Sequence, residues 1–312
     1  MLSRREFAAS AFAASLISGP VLAARRINST IHGVKVGLIT YCYRDLPAQP
    51  GEDLLAPGIR GCVANGIGEV ELWATMVQPP TILQRNGQYV VDPANAAMVK
   101  AREDIRRWRL ETPASYWRGV RRRFDEAGLN LFAYSLTLAD DFTDDEVAAT
   151  FRAVRAMGVR LLGTNQTRVA MAQRVVPLAE KHGVRLCFHN HSNVSHENEI
   201  ASIESMQKVL AMSRNYMINL DVGHFVGANL DPVDFITRHH DRISYLHLKD
   251  RQRNDGANLP WGQGDTPLRE VLQLVKRNRY PIPCLIEYEY KSDQPVLAEV
   301  QRCHDFIRQA LA

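Results

Sequence analysis

From residue 34 onward the chain alternates short, densely apolar runs with longer stretches in which apolar residues recur every three to four positions. The runs cover residues 34–43, 69–73, 129–138, 159–165, 184–189, 216–222, 243–248 and 284–288. They are rich in Val, Ile, Leu, Tyr and Phe and do not strictly alternate with polar residues, which fits parallel strands buried on both faces. Between them the 3.6-residue period predicts helices over 144–157, ending at Gly158, and over 169–182, ending at Gly183. Each glycine suits the left-handed conformation that closes a helix. Asp231-Pro232 places a capping acid before a proline at the first helical position, and Thr266-Pro267 repeats that device before a helix over 268–277.

Eight strand–helix units predict a closed (β/α)8 barrel of the TIM type, occupying residues 34–312 as one domain. A doubly wound open sheet is the alternative, but no GxGxxG follows the first run. Residues 74–128 exceed an ordinary crossover and are read as an insertion between strands 2 and 3, holding a hairpin over 86–91 and then an Arg-rich helical region. Arg102, Arg106, Arg107, Arg109, Arg118, Arg121, Arg122 and Arg123 are interspersed with acids, so they are expected to form a solvated outer face and not a phosphate site. The 312 residues carry a formal charge of +4 and are 46% hydrophobic, values of an ordinary globular protein and too weakly basic to imply a nucleic-acid partner. The five cysteines form no CxxC pair and read as small buried hydrophobes.

The first 24 residues have a different character. Arg4-Arg5 precedes a short Ala/Ser/Leu-rich stretch that ends in Val21-Leu22-Ala23-Ala24. Twin arginines, a modest apolar segment and a small-residue cleavage site resemble a twin-arginine export signal, and Gly19-Pro20 argues against a first helix of the fold. The apolar run is too short and Ala-rich for a membrane span. The mature protein is therefore expected in the periplasm, without a membrane anchor.

In a barrel of this kind the site lies at the carboxyl ends of the strands. There, four successive runs deliver ionisable residues: Phe188-His189-Asn190-His191-Ser192, Leu220-Asp221-Val222-Gly223-His224, Leu246-His247-Leu248-Lys249-Asp250 and Ile286-Glu287-Tyr288-Glu289. Any one of these has a bland explanation as a satisfied structural residue. Four converging on one rim require compensation, because buried unpaired charges are costly. A divalent cation bound by imidazole and carboxylate is the simplest compensation, and a salt-bridge network is the competing one.

The motifs HNH, DVGH, HLKD, WGQGD and IEYEY, in that order at strand ends, resemble the xylose-isomerase-like barrel superfamily of sugar isomerases and epimerases, which includes inosose dehydratases and AP-endonucleases. The resemblance implies one metal held by a Glu, an Asp, a His and a Glu from strands five to eight. Asp221, His247 and Glu287 match in type and place; at strand five, His189 or His191 stands where a Glu is usual, with Glu197 and Glu199 in the following loop. The expected ligands are His189, Asp221, His247 and Glu287, around one divalent ion (Mn²⁺, Co²⁺, Zn²⁺ or Mg²⁺). By the same resemblance His224 faces the metal or substrate, and His191 and Glu199 serve substrate contact or proton transfer.

Such a centre suits proton abstraction beside a carbonyl, with Glu287 as base, Lys249 either donating to a hydroxyl or developing oxyanion or ion-paired with Asp250 or Asp221, and Trp261 either stacking on a sugar face or packing in the fold, while the glycines of its loop admit substrate. The strand-five His weakens the symmetric carboxylate pair of the superfamily's epimerases, and one carboxylate base with a His acid suits elimination or hydration; Glu287, His224 and Lys249 are the expected catalytic residues. Export favours a non-phosphorylated keto-sugar, 3-keto-glycoside or cyclitol. The expected partner is thus a small carbohydrate, with a homo-oligomer allowed. A periplasmic sugar-binding barrel without turnover is the alternative from another class. An AP-endonuclease is disfavoured, since Glu71, Trp73, Tyr134 and Ser135 stand where its extra histidines would be.

Overall fold

The computed structural model describes residues 25–80, 91–195 and 200–312. The export segment, the body of the 86–91 hairpin, and Glu197 and Glu199 lie outside the described residues. Strand β1 (Thr30–Ile31) turns through Gly33, whose φ of +87° favours glycine, and pairs antiparallel with β2 (Val34–Ile39). Then follow β3 (Glu69–Trp73), β4 (Asn130–Ser135), β5 (Leu161–Thr164), β6 (Arg185–His189), β7 (Tyr216–Asp221), β8 (Ile243–Leu248) and β9 (Cys284–Ile286). From β2 on, each strand is parallel to the next, and β9 pairs back onto β2, closing an eight-stranded barrel. The fold class read from the sequence is the one observed.

Around the barrel lie α1 (Leu55–Ala64), α2 (Ala96–Glu111), α3 (Ala114–Glu126), α4 (Asp144–Ala156), α5 (Val169–His182), α6 (Ile203–Met212), α7 (Val222–Gly227), α8 (Pro232–His239), α9 (Leu268–Asn278) and α10 (Val296–Leu311). Gly158 and Gly183 close α4 and α5 at φ +71° and +59°, and the Asp231 carboxylate accepts from the amides of Val233 and Asp234 at 2.9 and 3.2 Å. The Thr266-Pro267 expectation is corrected. Pro267 itself occupies the cap of α9, while the Thr266 hydroxyl accepts from the Arg251 amide at 3.0 Å and its amide donates to Asp250 at 3.2 Å, so Thr266 is drawn into the preceding loop. Several strands are shorter than their apolar runs. Residues 40–43 curl into a 3-10 turn, and Val222 begins α7 because the Asp221 side chain caps that helix.

The expectation for the arginines of α2 and α3 is also corrected. Arg102 and Arg109 are buried, and both guanidiniums meet the fully buried Glu146 of α4, at 2.8 and 2.7 Å. Arg106 joins at 3.2 Å, and Arg102 and Arg109 lie over the Phe142 ring. Burial pushes the Glu146 carboxyl up, but Arg102 and Arg109 outweigh it and hold the group below its usual range. The stripe therefore docks α2 against α4, and only members such as Arg107 and Arg122 face solvent.

Alternation of side chains places Leu186, Phe188, Ile218, Leu220, Leu246 and Ile286 outward, in the large core under the helices. Inside the barrel, Ala133, Cys187, Tyr245 and Leu285 form a second apolar layer with Phe132, Leu161 and Met217. All five cysteines are free and buried. Nearer the carboxyl ends the inward positions become polar.

Candidate metal and catalytic centre

Register brings the ionisable residues together. Asp221 on β7 sits opposite His247 on β8, His189 on β6 opposite Asn219, and His247 opposite Leu285, two residues before Glu287. Odd-numbered residues on these strands share the interior face, so His189, Asp221, His247 and Glu287 converge. One ligand atom from each lies within 4.8 Å of the others, and all four residues are buried.

The donor set fits a divalent ion. It offers two imidazoles and two carboxylates, a combination that Zn²⁺ and its neighbours accept. Asp221 Oδ1 accepts from the His224 amide at 2.6 Å, whereas the buried Asp221 Oδ2 has no hydrogen-bond partner and only an ion-pair contact, with the Lys249 ammonium at 3.3 Å. Asn190 fixes the backbone beneath, accepting from the Asp221 amide at 2.9 Å and donating to its carbonyl at 3.1 Å. The His189, His191 and His224 rings form an adjoining cluster, with centroids 5.0–5.6 Å apart.

Lys249 supplies the fixed positive charge. Its ammonium lies 2.6 Å from Glu289, 3.3 Å from Asp221 and 3.4 Å from Glu287, with His224 Nε2 at 3.1 Å. Burial would lower its pKa, but the three carboxylates raise it. Glu287 is pushed up by burial, yet Lys249 and His247 prevail and hold it at about 2, so it stays ionised. His247, which burial alone would lower, is raised to about 10 by Glu71 and Glu287 on its two sides. Burial raises Asp221, and burial with neighbouring cationic groups holds His189 and His224 well below the ordinary histidine value.

These directions predict a pH profile for the metal-free protein. His247 stabilises the fold fully below the unfolded value of 6.5, and that contribution is lost as pH rises toward 10. His189 and His224, with depressed values, cost stability as pH falls below 6.5, because the unfolded chain takes up protons that the folded one refuses. Thermal unfolding across pH should show a maximum near 6.5, with the Glu287 contribution lost only below its unfolded 4.5, toward 2. A midpoint that rises steadily from pH 6.5 to 10 would contradict this.

The other expected residues separate into two groups. His191 and His224 stand half-buried at the rim, and His224 faces two cationic donors, Lys249 and Arg251 (2.6 Å to Nδ1). A ring placed so is neutral and accepts from one of the two, since its other nitrogen carries the N–H. Arg251 is itself held by Asp255 at 2.7 Å and Ser192 at 2.7 Å. Trp261 is half-buried and packs edge-on against Phe306 of α10, with ring centroids 5.7 Å apart. Its loop is organised by Asp250, which accepts from the amides of Gly262 and Gly264 at 2.6 and 3.1 Å. A side chain at Gly264 would collide with that carboxylate, so the close approach made there is to Asp250. Sequence reading assigned no role to Glu71, Asn219, Tyr245 or Arg251; the usable signal for Glu71 was a carboxylate midway along a buried strand.

A family model described as xylose isomerase-like TIM barrel matches residues 94–310. The inosose dehydratase of Geobacillus kaustophilus is 29% identical over 108 residues, 34% of this chain and 29% of that protein. That of Mesomycoplasma hyopneumoniae is 32% identical over 107 residues, 34% of this chain and 33% of that protein. The chain thus spans about a third of the length of these curated relatives. Among solved structures, the IOLI protein with a bound zinc atom aligns over 89% of this chain and 98% of its own, at TM-score 0.61 and 11% identity. The probable 3-DHS dehydratase AsbF of Bacillus anthracis aligns over 89% and 97%, at TM-score 0.57 and 15% identity, a likeness of fold.

Proposed function

The chain belongs to the family of xylose isomerase-like TIM barrels, and from that premise we propose that it is a divalent-metal-dependent enzyme acting beside the carbonyl of a non-phosphorylated keto-sugar, 3-keto-glycoside or cyclitol. The observation that carries this reading is the enclosed set of His189, Asp221, His247 and Glu287, with Lys249 against two of them. A divalent ion held by these four residues supplies Lewis-acid polarisation of the substrate carbonyl. Glu287, kept ionised by Lys249 and His247, takes the proton from the adjacent carbon. Lys249 donates to the oxygen on which negative charge develops.

Within the isomerase, epimerase and lyase chemistries, we favour elimination. An epimerase needs a proton returned on the opposite face, and His189 offers no carboxylate there. Elimination needs only a proton for the departing hydroxyl, which leaves as water. We assign that donation to His191, because His224 is a neutral ring against two cationic donors, Lys249 and Arg251, and accepts from one of them. The dehydratase names of the relatives support this choice. We place the mature enzyme in the periplasm, on the strength of the twin-arginine segment, where non-phosphorylated sugars are met.

Metal-loaded protein incubated in deuterated water with inososes and 3-keto-glycosides should place deuterium at the carbon beside the carbonyl or release a dehydrated product. Tight sugar binding without exchange or product would favour a binding protein that has lost turnover.

A further inference from the structure

Glu71 is fully buried on β3, across the barrel from β8, and no role follows for it from the ligand set. Its Oε2 lies 2.6 Å from His247 Nε2, and its Oε1 accepts from the Tyr245 hydroxyl at 2.7 Å. Tyr245 and His247 are two residues apart on one strand and share its inward face, so one carboxylate bridges both. The floor is shaped around this bridge: a Cβ at Gly163 of β5 would come within 2.5 Å of both Glu71 Oε1 and Tyr245 Oη. The opposite edge of the same imidazole, Nδ1, faces Glu287 at 2.9 Å, inside the ligand cluster.

A neutral imidazole carries one N–H, and an ionised carboxylate only accepts. We infer that Glu71 is a positioning residue: braced by Tyr245 and given room by Gly163, it keeps the hydrogen of His247 on Nε2 when a divalent metal displaces the Nδ1 proton, and so turns Nδ1, then carrying the lone pair, to that metal. This rests on the metal reading above. Carboxylates that receive the far N–H of a ligating histidine fix its ring and raise its affinity for the ion, and removing them costs about 10–100-fold in binding. Gln in place of Glu71 can turn its NH₂ toward Nε2 and stabilise the opposite tautomer. Phe at 245 frees the carboxylate to rotate but keeps it in place beside Nε2, so Tyr245→Phe should weaken binding less than Glu71→Gln does.

The test uses zinc and ¹⁵N-histidine-labelled full-length protein. In the zinc-loaded wild type, the His247 resonances should show a protonated Nε2 and a metal-bound Nδ1, an assignment that requires no variant to fold. Chelator competition should then show Glu71→Gln weakening zinc by about 10–100-fold, with Tyr245→Phe intermediate. Zinc on Nε2, or Glu71→Gln binding zinc as tightly as the wild type, overturns the role of Glu71 while leaving the metal site standing. Failure of the wild type to bind zinc removes the metal site and this inference together.

Discussion

Glu287→Gln is expected to abolish measurable turnover, by about 10³-fold or more, while the protein remains folded. General-base catalysis alone is worth about 10²–10⁴-fold, and the same oxygen atoms belong to the ligand cluster. The fold should tolerate the change because neither cation beside Glu287 is orphaned: Lys249 retains Asp221 and Glu289, and His247 retains Glu71. The amide is nearly isosteric and leaves no cavity. Steady-state assays beside thermal unfolding separate the two effects. Near wild-type turnover would remove Glu287 from the role of base, and loss of cooperative unfolding would make it a structural residue.

Lys249→Met should have its largest effect on stability. The side chain is buried, and its ammonium is the positive charge set among the closely placed carboxyl groups of Asp221, Glu287 and Glu289. Met fills similar space without a charge. Breaking a buried ionic group by removing one partner costs about 3–5 kcal/mol, so the metal-free variant should unfold at markedly lower denaturant at neutral pH. Zinc should restore more stability to the variant than it adds to the wild type, since a cation that binds only the folded state stabilises it by mass action. A loss below about 1 kcal/mol, within the range of ordinary surface substitutions, would show that the carboxylates manage without Lys249.

The two predictions also mark what the chain discloses without coordinates. Strand positions were legible because eight apolar runs recur between helical periods, and Asp221, His247 and Glu287 were legible because charge at the ends of such runs is anomalous. Exact strand ends were not, since Val222 is as apolar as the residues before it and leaves the strand only because Asp221 caps a helix. The arginines of α2 misled because their partner, Glu146, lies 37–44 residues further on, and local interspersion of acids looks the same whether a face is wet or docked. Glu71 escaped for a related reason. Its partners, Tyr245 and His247, are 174 and 176 positions away and meet it only through barrel closure. Trp261 shows the converse, a residue suited to stacking on sugar whose visible neighbour is Phe306.

Crystals of the mature protein soaked in zinc and recorded at the zinc absorption edge give the most direct measurement. One anomalous peak is predicted, enclosed by His189 and Asp221 on one side and His247 Nδ1 and Glu287 on the other. Zinc bound elsewhere, or none between those four side chains at saturating concentration, would contradict the metal centre and the chemistry built on it.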